Sequence, residues 1–253
     1  GLLPDGTRTA AYPQWLDADN IADYMLSVFF TGNRDMPIGP PGGDNMPRNM
    51  VAVCNRVRPR GVQFVTHDAE HSLLYSGGLS ANRVSVALKT QFGQVVNFTP
   101  WWLHIQLMSN SEYRVRFADR VQKHFIDTQV LSATASVARL RARAQEIDLA
   151  IIAESARWGD YLTPATPRTR DTDWVPAVNR IVSNYFIATP ATRTDIVMNQ
   201  LLAHGWFPAL AAPVCSPRGA VFASTQTVSI SAAASIYYTL DLSDPRTPVS
   251  GTP

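Results

Sequence analysis

Lysine is almost missing from this chain. Of 22 basic residues only Lys89 and Lys123 are lysine, and the rest are arginine. An arginine-biased coding sequence accounts for most of this, yet any chemistry that needs a lysine has two candidates. Cysteine is just as scarce. Cys54 and Cys215 stand apart, which excludes a disulfide framework or a zinc knuckle and leaves at most one bridge. Long apolar runs are missing too. Met25 to Phe30 already contains Ser27, so no segment is built to span a bilayer. There is no charged start followed by an apolar stretch and a cleavage site. The chain opens on Gly1 rather than Met, so it reads as a processed or truncated piece and the compartment stays open. Basic clusters are lacking as well. The net charge is +2 with scattered arginines, which argues against a nucleic-acid partner.

What is present suffices for a core. The chain has 253 residues, 45% of them apolar and 17% charged, enough for one large domain or one domain plus a small module. Residues 1–18 read as loop. Ile21, Tyr24, Met25, Val28 and Phe29 recur at helical spacing, with Asp19 or Asn20 as the cap. Thr31 to Arg48 is rich in Gly and Pro, and a loop that long without structure of its own is usually functional or mobile. Val51–Val57 and Gly61–Thr66 read as two strands around the turn Arg58-Pro59-Arg60-Gly61.

From about 99 to 205 the pattern is helical. Ser109-Asn110-Ser111-Glu112 has the form of a capping box. Tyr113, Phe117, Val121 and Phe125 follow at four-residue steps. A long helix is expected from Ala133 to Trp158, with Val137, Leu140, Ala144, Ile147 and Ile151 on one face and Gly159 as its stop. Two shorter helices are expected over 173–187 and 193–204. The second starts at a box formed by Thr192 and Asp195 and ends at Gly205. Helical periodicity stops at Trp206-Phe207-Pro208, so a boundary is placed near 208. Beyond it Thr227–Ser231 and Ser235–Leu240 read as strands. The last 45 residues are too few for a sandwich of their own.

The densest polar cluster is His67-Asp68-Ala69-Glu70-His71, directly after the second strand. Taken literally it is H-x-x-E-H, a zinc-hydrolase pattern that works on a helix, where both imidazoles share one face. A third ligand would come from Glu146 or Glu154. A second reading centres on Asp68. A carboxylate at the end of a hairpin can hold Mg²⁺ over phosphates, because that ion keeps hard oxygen ligands. Kinase-like sites add an upstream Asp and a nearby Asn. The chain has both, Asp35 in Gly32-Asn33-Arg34-Asp35 and Asn49 before the first strand. The bland reading is that Asp35 caps a helix end and Asp68 pairs with an arginine.

The order of these elements resembles the CotH (spore coat protein H) kinase-like family. Ile21 through Asp35 is similar to its helix ending in a Gly-Asn-x-Asp element. Asn49-Met-Val-Ala-Val resembles its Asn-Trp-Tyr-Ala strand, and Phe64-Val-Thr-His-Asp68-Ala-Glu70 its Phe-x-x-Trp-Asp-Ala-Glu element. Leu103-His-Ile-Gln-Leu, Phe117-Ala-Asp-Arg120 and Ala153 to Asp160 resemble its helical continuation. The likeness covers roughly residues 15–205. His67 replaces the aromatic before Asp68, and Met50-Val51 replaces Trp-Tyr. The resemblance implies an atypical protein kinase using ATP and Mg²⁺ or Mn²⁺ to phosphorylate Ser or Thr. Asp35 would orient the acceptor hydroxyl, with Asn49, Asp68 and Glu70 on the metal.

The tail resembles another module. Ala212 to Gly219 followed by Ile236-Tyr-Tyr-Thr-Leu-Asp241-Leu-Ser-Asp-Pro-Arg246 looks like the chitobiase/β-hexosaminidase C-terminal-type β-sandwich repeat. Leu242 stands where glycine is usual. That likeness implies an extracellular or cell-surface setting, with protein or carbohydrate contact or a bare spacer role.

The expectation is thus an α+β chain. Residues 1–208 would be a mainly helical kinase-like C-lobe with a β-hairpin bearing the metal site, and residues 209–253 a partial all-β module. The kinase reading also requires a lysine upstream to clamp the nucleotide, so the clamping half would lie outside these 253 residues. The rival readings are a non-catalytic surface scaffold and the zinc hydrolase. Trp101-Trp102 reads as core or rim packing, and His104, His124 and His204 as ordinary histidines. Arg139, Arg141 and Arg143 read as a solvated face.

Overall fold

A computed structural model describes residues 15–35, 49–57, 60–75, 77–86, 90–91, 94–95, 99–126, 129–217, 221–241 and 243–246. The chain is α+β. Most of the Thr31–Arg48 loop, the Arg58-Pro59 corner, Lys89, Gly219 and Leu242 fall outside the described residues.

Helix α1 (Ala18–Thr31) is the axis of the molecule. Ile21, Ala22, Tyr24, Met25, Leu26, Val28, Phe29 and Phe30 are all buried, so it is covered on nearly every side rather than along one stripe. Its cap is Asp17, whose Oδ1 accepts from the Asn20 amide at 3.0 Å, two residues before Asp19 and three before Asn20. The reason is tertiary. Asp17 is pinned by its own amide to the Val62 carbonyl, and Gln63 Nε2 donates to Asp17 Oδ2 at 2.8 Å. Asn20 instead serves the neighbouring strand, donating to the Phe64 carbonyl and accepting from its amide.

That strand belongs to the hairpin β1 (Met50–Cys54) and β2 (Val62–Thr66), antiparallel with Met50 opposite Thr66 and Cys54 opposite Val62. Two short antiparallel pairs complete the sheets: β3 (Thr90–Gln91) with β4 (Gln94–Val95), and β5 (Val214–Ser216) with β6 (Ser229–Ser231).

Around α1 pack α2 (Pro100–Leu107), α3 (Ser111–Phe125) and α6 (Arg193–Ala203). The α3 cap is Asn110, not Ser109, because Asn110 Oδ1 accepts from the Tyr113 amide at 3.1 Å. Ser109 spends its hydroxyl on the Gln106 carbonyl, at the end of α2. The four-step row Tyr113, Phe117, Val121, Phe125 is buried as its spacing predicts. On the flank of that row two acids of α1 meet α3: Asp19 pairs with Arg116, and Asp23 with Arg120 and His124.

The long helix α4 (Ala133–Trp158) has the predicted bounds. Gly159 is not there for a left-handed stop, since its φ is −61°. A Cβ at that position would lie 2.3 Å from the Arg168 carbonyl oxygen, so close approach is what requires glycine. The expected helix over 173–187 is α5 (Val175–Ile181) flanked by π-helical turns at Arg170–Trp174 and Val182–Phe186. At α6 the Thr192–Asp195 capping box is complete. Ser235–Leu240 forms no strand, while Val214–Ser216 does, because a strand needs a ladder partner and β6 pairs with the latter. Cys54 and Cys215 are both free.

Helix α1 ends with its last three carbonyls claimed by groups outside the helix, as the helix geometry demands. Thr31 Oγ1 turns back to the Ser27 carbonyl at 2.8 Å. Arg193 takes Phe29 and Phe30, Tyr185 also takes Phe30 at 2.7 Å, and the Leu73 amide takes Thr31 at 2.7 Å. Gly32 then turns left-handed at φ 63°. A methyl at this position would meet Ala81 Cβ at 3.0 Å and the Tyr185 hydroxyl at 3.3 Å. Gly32→Ala is therefore expected to lose about 1–2 kcal/mol of stability in denaturant melts, from the strained φ alone.

Candidate functional site

The turn after α1 and the end of the hairpin meet at one edge of the molecule. The Arg34 amide donates to the His71 carbonyl at 2.9 Å, and the Leu73 amide to that of Thr31. These two bonds tie residues 71–73 to the α1 exit. Buried Asn33 then folds the next residue back, its Oδ1 accepting from the Asp35 amide at 2.9 Å.

From the other side comes Asn49. Its backbone carbonyl accepts from the His67 amide at 3.3 Å, which makes it the last rung of the hairpin. Its side-chain amide donates to the Asp35 carbonyl at 3.1 Å and to Asp35 Oδ2 at 2.7 Å. Asp35 and Asn49 are therefore in direct contact across 14 positions of sequence.

Ligand atoms of Asp35, Glu70 and His71 lie within 4.8 Å of one another, the three-member group of such side chains among the described residues. His71 Nε2 lies 3.4 Å from Glu70 Oε1, and Tyr75 stacks on the His71 ring at 4.8 Å between centroids. Two carboxylates and an imidazole form a donor set suited to a divalent cation of the Mn²⁺ or Zn²⁺ type. Three residues here adopt left-handed backbone: Asn49 at φ 55°, Asp68 at 52° and Leu73 at 59°. Asn and Asp tolerate that region, but Leu73 carries strain of order 1 kcal/mol.

Of the residues read from the sequence, Asp35, Asn49 and Glu70 come together. Asp68 is exposed and lies outside the group. His71 takes its place in the donor set, a pairing that the Arg34–His71 and Leu73–Thr31 backbone bonds bring about. The zinc-hydrolase geometry is not formed. Residues 67–71 lie in no helix, His67 is outside the group, and Glu146 is engaged with Arg143 at 2.6 Å. Lys123 lies exposed in the last turn of α3.

The other histidines differ from one another. His124 is tied to Asp23 at 2.9 Å. His204 packs edge-on against Trp206. His104 is wholly buried among Trp101, Phe29, Phe117 and Trp206, with Nδ1 at 2.9 Å from the Tyr113 hydroxyl. Burial drives its pKa down to about 3, so it is neutral at pH 7.

No known family, curated protein or solved structure matches the chain.

Proposed function

We propose that the chain is the C-terminal lobe of a CotH-type kinase-like phosphotransferase, moving a phosphoryl group from ATP to a Ser or Thr hydroxyl. One observation carries the reading. Asp35, Asn49, Glu70 and His71 converge where the α1 exit meets the end of the hairpin. The sequence resemblance supplies the reaction, and the convergence offers a place for it. Asp35, Glu70 and His71 would hold the divalent metal, which when bound neutralises phosphate charge.

The chain's own groups do the positioning. Asn49 fixes the Asp35 carboxylate beside Glu70 and His71. Asp68 follows the hairpin, lies outside that group, and enters this reading through the sequence resemblance alone, as a further carboxylate for the metal. The site sits on a rigid base, because Asn20 holds β2 against α1 through both of its amide atoms.

Calorimetric titration with Mn²⁺ and ATP tests this. Wild type is expected to bind Mn²⁺, and to bind ATP more tightly with Mn²⁺ present than without it. Asp35→Asn and Glu70→Gln should weaken Mn²⁺ binding about tenfold or more, and Asp68→Ala should abolish metal-dependent ATP binding. Wild type that binds no Mn²⁺, or Mn²⁺ binding that is equally tight in Asp35→Asn and Glu70→Gln, would sink the proposal.

The tail favours a second reading, a surface scaffold contacting protein or carbohydrate. Tyr237 and Tyr238 are 60% and 66% exposed and Leu240 92% exposed, an apolar edge of the kind contact surfaces use. Saturable glycan binding lost in Tyr237→Ala, together with no ATP binding, would favour it over the kinase.

A further inference from the structure

Three guanidinium groups gather at the end of α1, those of Arg34, Arg83 and Arg193. Their situations differ. Arg193 is fully enclosed and fully used, with Nε on the Phe30 carbonyl at 2.9 Å, one terminal nitrogen on Leu79 at 2.6 Å and the other on Phe29. Arg83 is 8% exposed, and its single hydrogen bond among the described residues runs from Nε to the Gly32 carbonyl at 3.3 Å. Both of its terminal nitrogens lack a protein acceptor there. Arg34, two residues beyond Gly32, is exposed and makes no side-chain hydrogen bond or ion pair among the described residues.

Among the described residues the charge around Arg83 is of one sign. Burial, then the like charges of Arg34 and Arg193, hold its guanidinium pKa below the ordinary range. Only the Tyr185 hydroxyl acts the other way, and no carboxylate of the described residues contributes. Nearby Asp35 turns toward Asn49, Glu70 and His71 instead. The terminal nitrogens of Arg83 are not among the fully buried atoms that lack a partner, so solvent reaches them, and two like charges with no counter-charge among the described residues favour an anion there. Carbonyl dipoles account for Arg193, which has three, but Arg83 has one.

We propose that Arg83 and Arg34 form a binding site for a phosphate group. A guanidinium with both terminal nitrogens open presents a planar fork that suits two oxygens of a tetrahedral oxyanion. Arg34 adds a second cation from the solvent side. The phosphate is free inorganic phosphate or the phosphate of a nucleotide; both present the same oxygens. The site does not depend on the phosphotransferase reading, since neither Asp35 nor Asp68 nor a metal takes part in it.

Titration of the full chain with inorganic phosphate, metal-free and at fixed ionic strength, tests the site. One-to-one saturable binding is expected, with a rise in Tm that chloride does not reproduce. Arg34→Gln, an exposed change that spares the core, should weaken affinity about tenfold or more. Arg83→Lys keeps the charge but loses the fork, and should weaken it as well. ADP that competes with phosphate and shares the Arg34 dependence assigns the site to a nucleotide. Phosphate binding without ADP binding assigns it to the free anion. Absence of saturable phosphate binding, or binding unchanged in both variants, overturns the proposal. Neither result bears on Mn²⁺-dependent ATP binding through Asp68.

Discussion

Arg193→Leu is expected to lower the unfolding free energy by about 3–5 kcal/mol, read from the midpoint and slope of a urea melt. The side chain is wholly buried, and its donors serve the Phe29, Phe30 and Leu79 carbonyls. Phe30 keeps the Tyr185 hydroxyl after the substitution. Phe29 loses its donor in a dry interior, at about 1–3 kcal/mol, and half-buried Leu79 loses its donor at the lower end of that range. A positive group at a helix C-terminus also meets the negative end of the dipole, and that attraction disappears. Arg193→Lys should recover only part of the loss, because a compact ammonium cannot span three carbonyls. A loss below about 1 kcal/mol for Arg193→Leu would mean that water replaces the guanidinium.

The second large effect is a loss of stability in acid that depends on His104. The fold binds this imidazole neutral, with its pKa down at about 3, while in the unfolded chain it returns to its ordinary value of 6.5. Between those values the unfolded state holds one more proton than the folded state. Stability is therefore complete above about pH 6.5 and falls as pH drops toward 3, by up to about 1.4 kcal/mol per pH unit. Asp19 contributes in the same direction at lower pH, because its hydrogen bond from Arg116 holds its carboxyl below 3.8. Subtraction separates the two. His104→Phe keeps a ring in the pocket and removes the titration, so urea melts at pH 7.0 and 4.5 should differ less for this variant, by about 2–3 kcal/mol. Equal acid sensitivity in both proteins would show that His104 is not the group that titrates.

These results bear on different parts of the chain from the functional tests. Arg193 and His104 concern the packing about α1, whereas Asp35, Glu70 and Asp68 concern the edge where the hairpin ends. Arg34 and Arg83 lie between them. A variant at Arg34 that changes phosphate binding without changing the urea midpoint would separate ligand recognition from support of the helix end.

Much of the architecture could be read from local pattern. The apolar spacing of Ile21 to Phe29, the alternation before Thr66, the four-step row on α3 and the Thr192–Asp195 box all concern neighbours a few positions apart, which the chain encodes directly. Helix starts were less legible. Asp17 and Asn110 cap where Asp19, Asn20 and Ser109 were expected, because long-range bonds and the preceding helix decide which side chain is free to cap.

The near absence of lysine, the two isolated cysteines and the order of Asp35, Asn49, Asp68 and Glu70 were settled by the sequence alone, and so was the hairpin that carries the last three. Which of those residues meet was decided by tertiary structure. Two backbone bonds, from Arg34 to His71 and from Leu73 to Thr31, bring His71 and Glu70 beside Asp35, while Asp68 stays exposed outside the group. The same closure sets Arg83 at Gly32 and Arg193 on the carbonyls that end α1, 51 and 163 positions away in sequence. Periodicity reports the direction a side chain takes from its own helix or strand. It carries no record of which distant backbone group will need a donor.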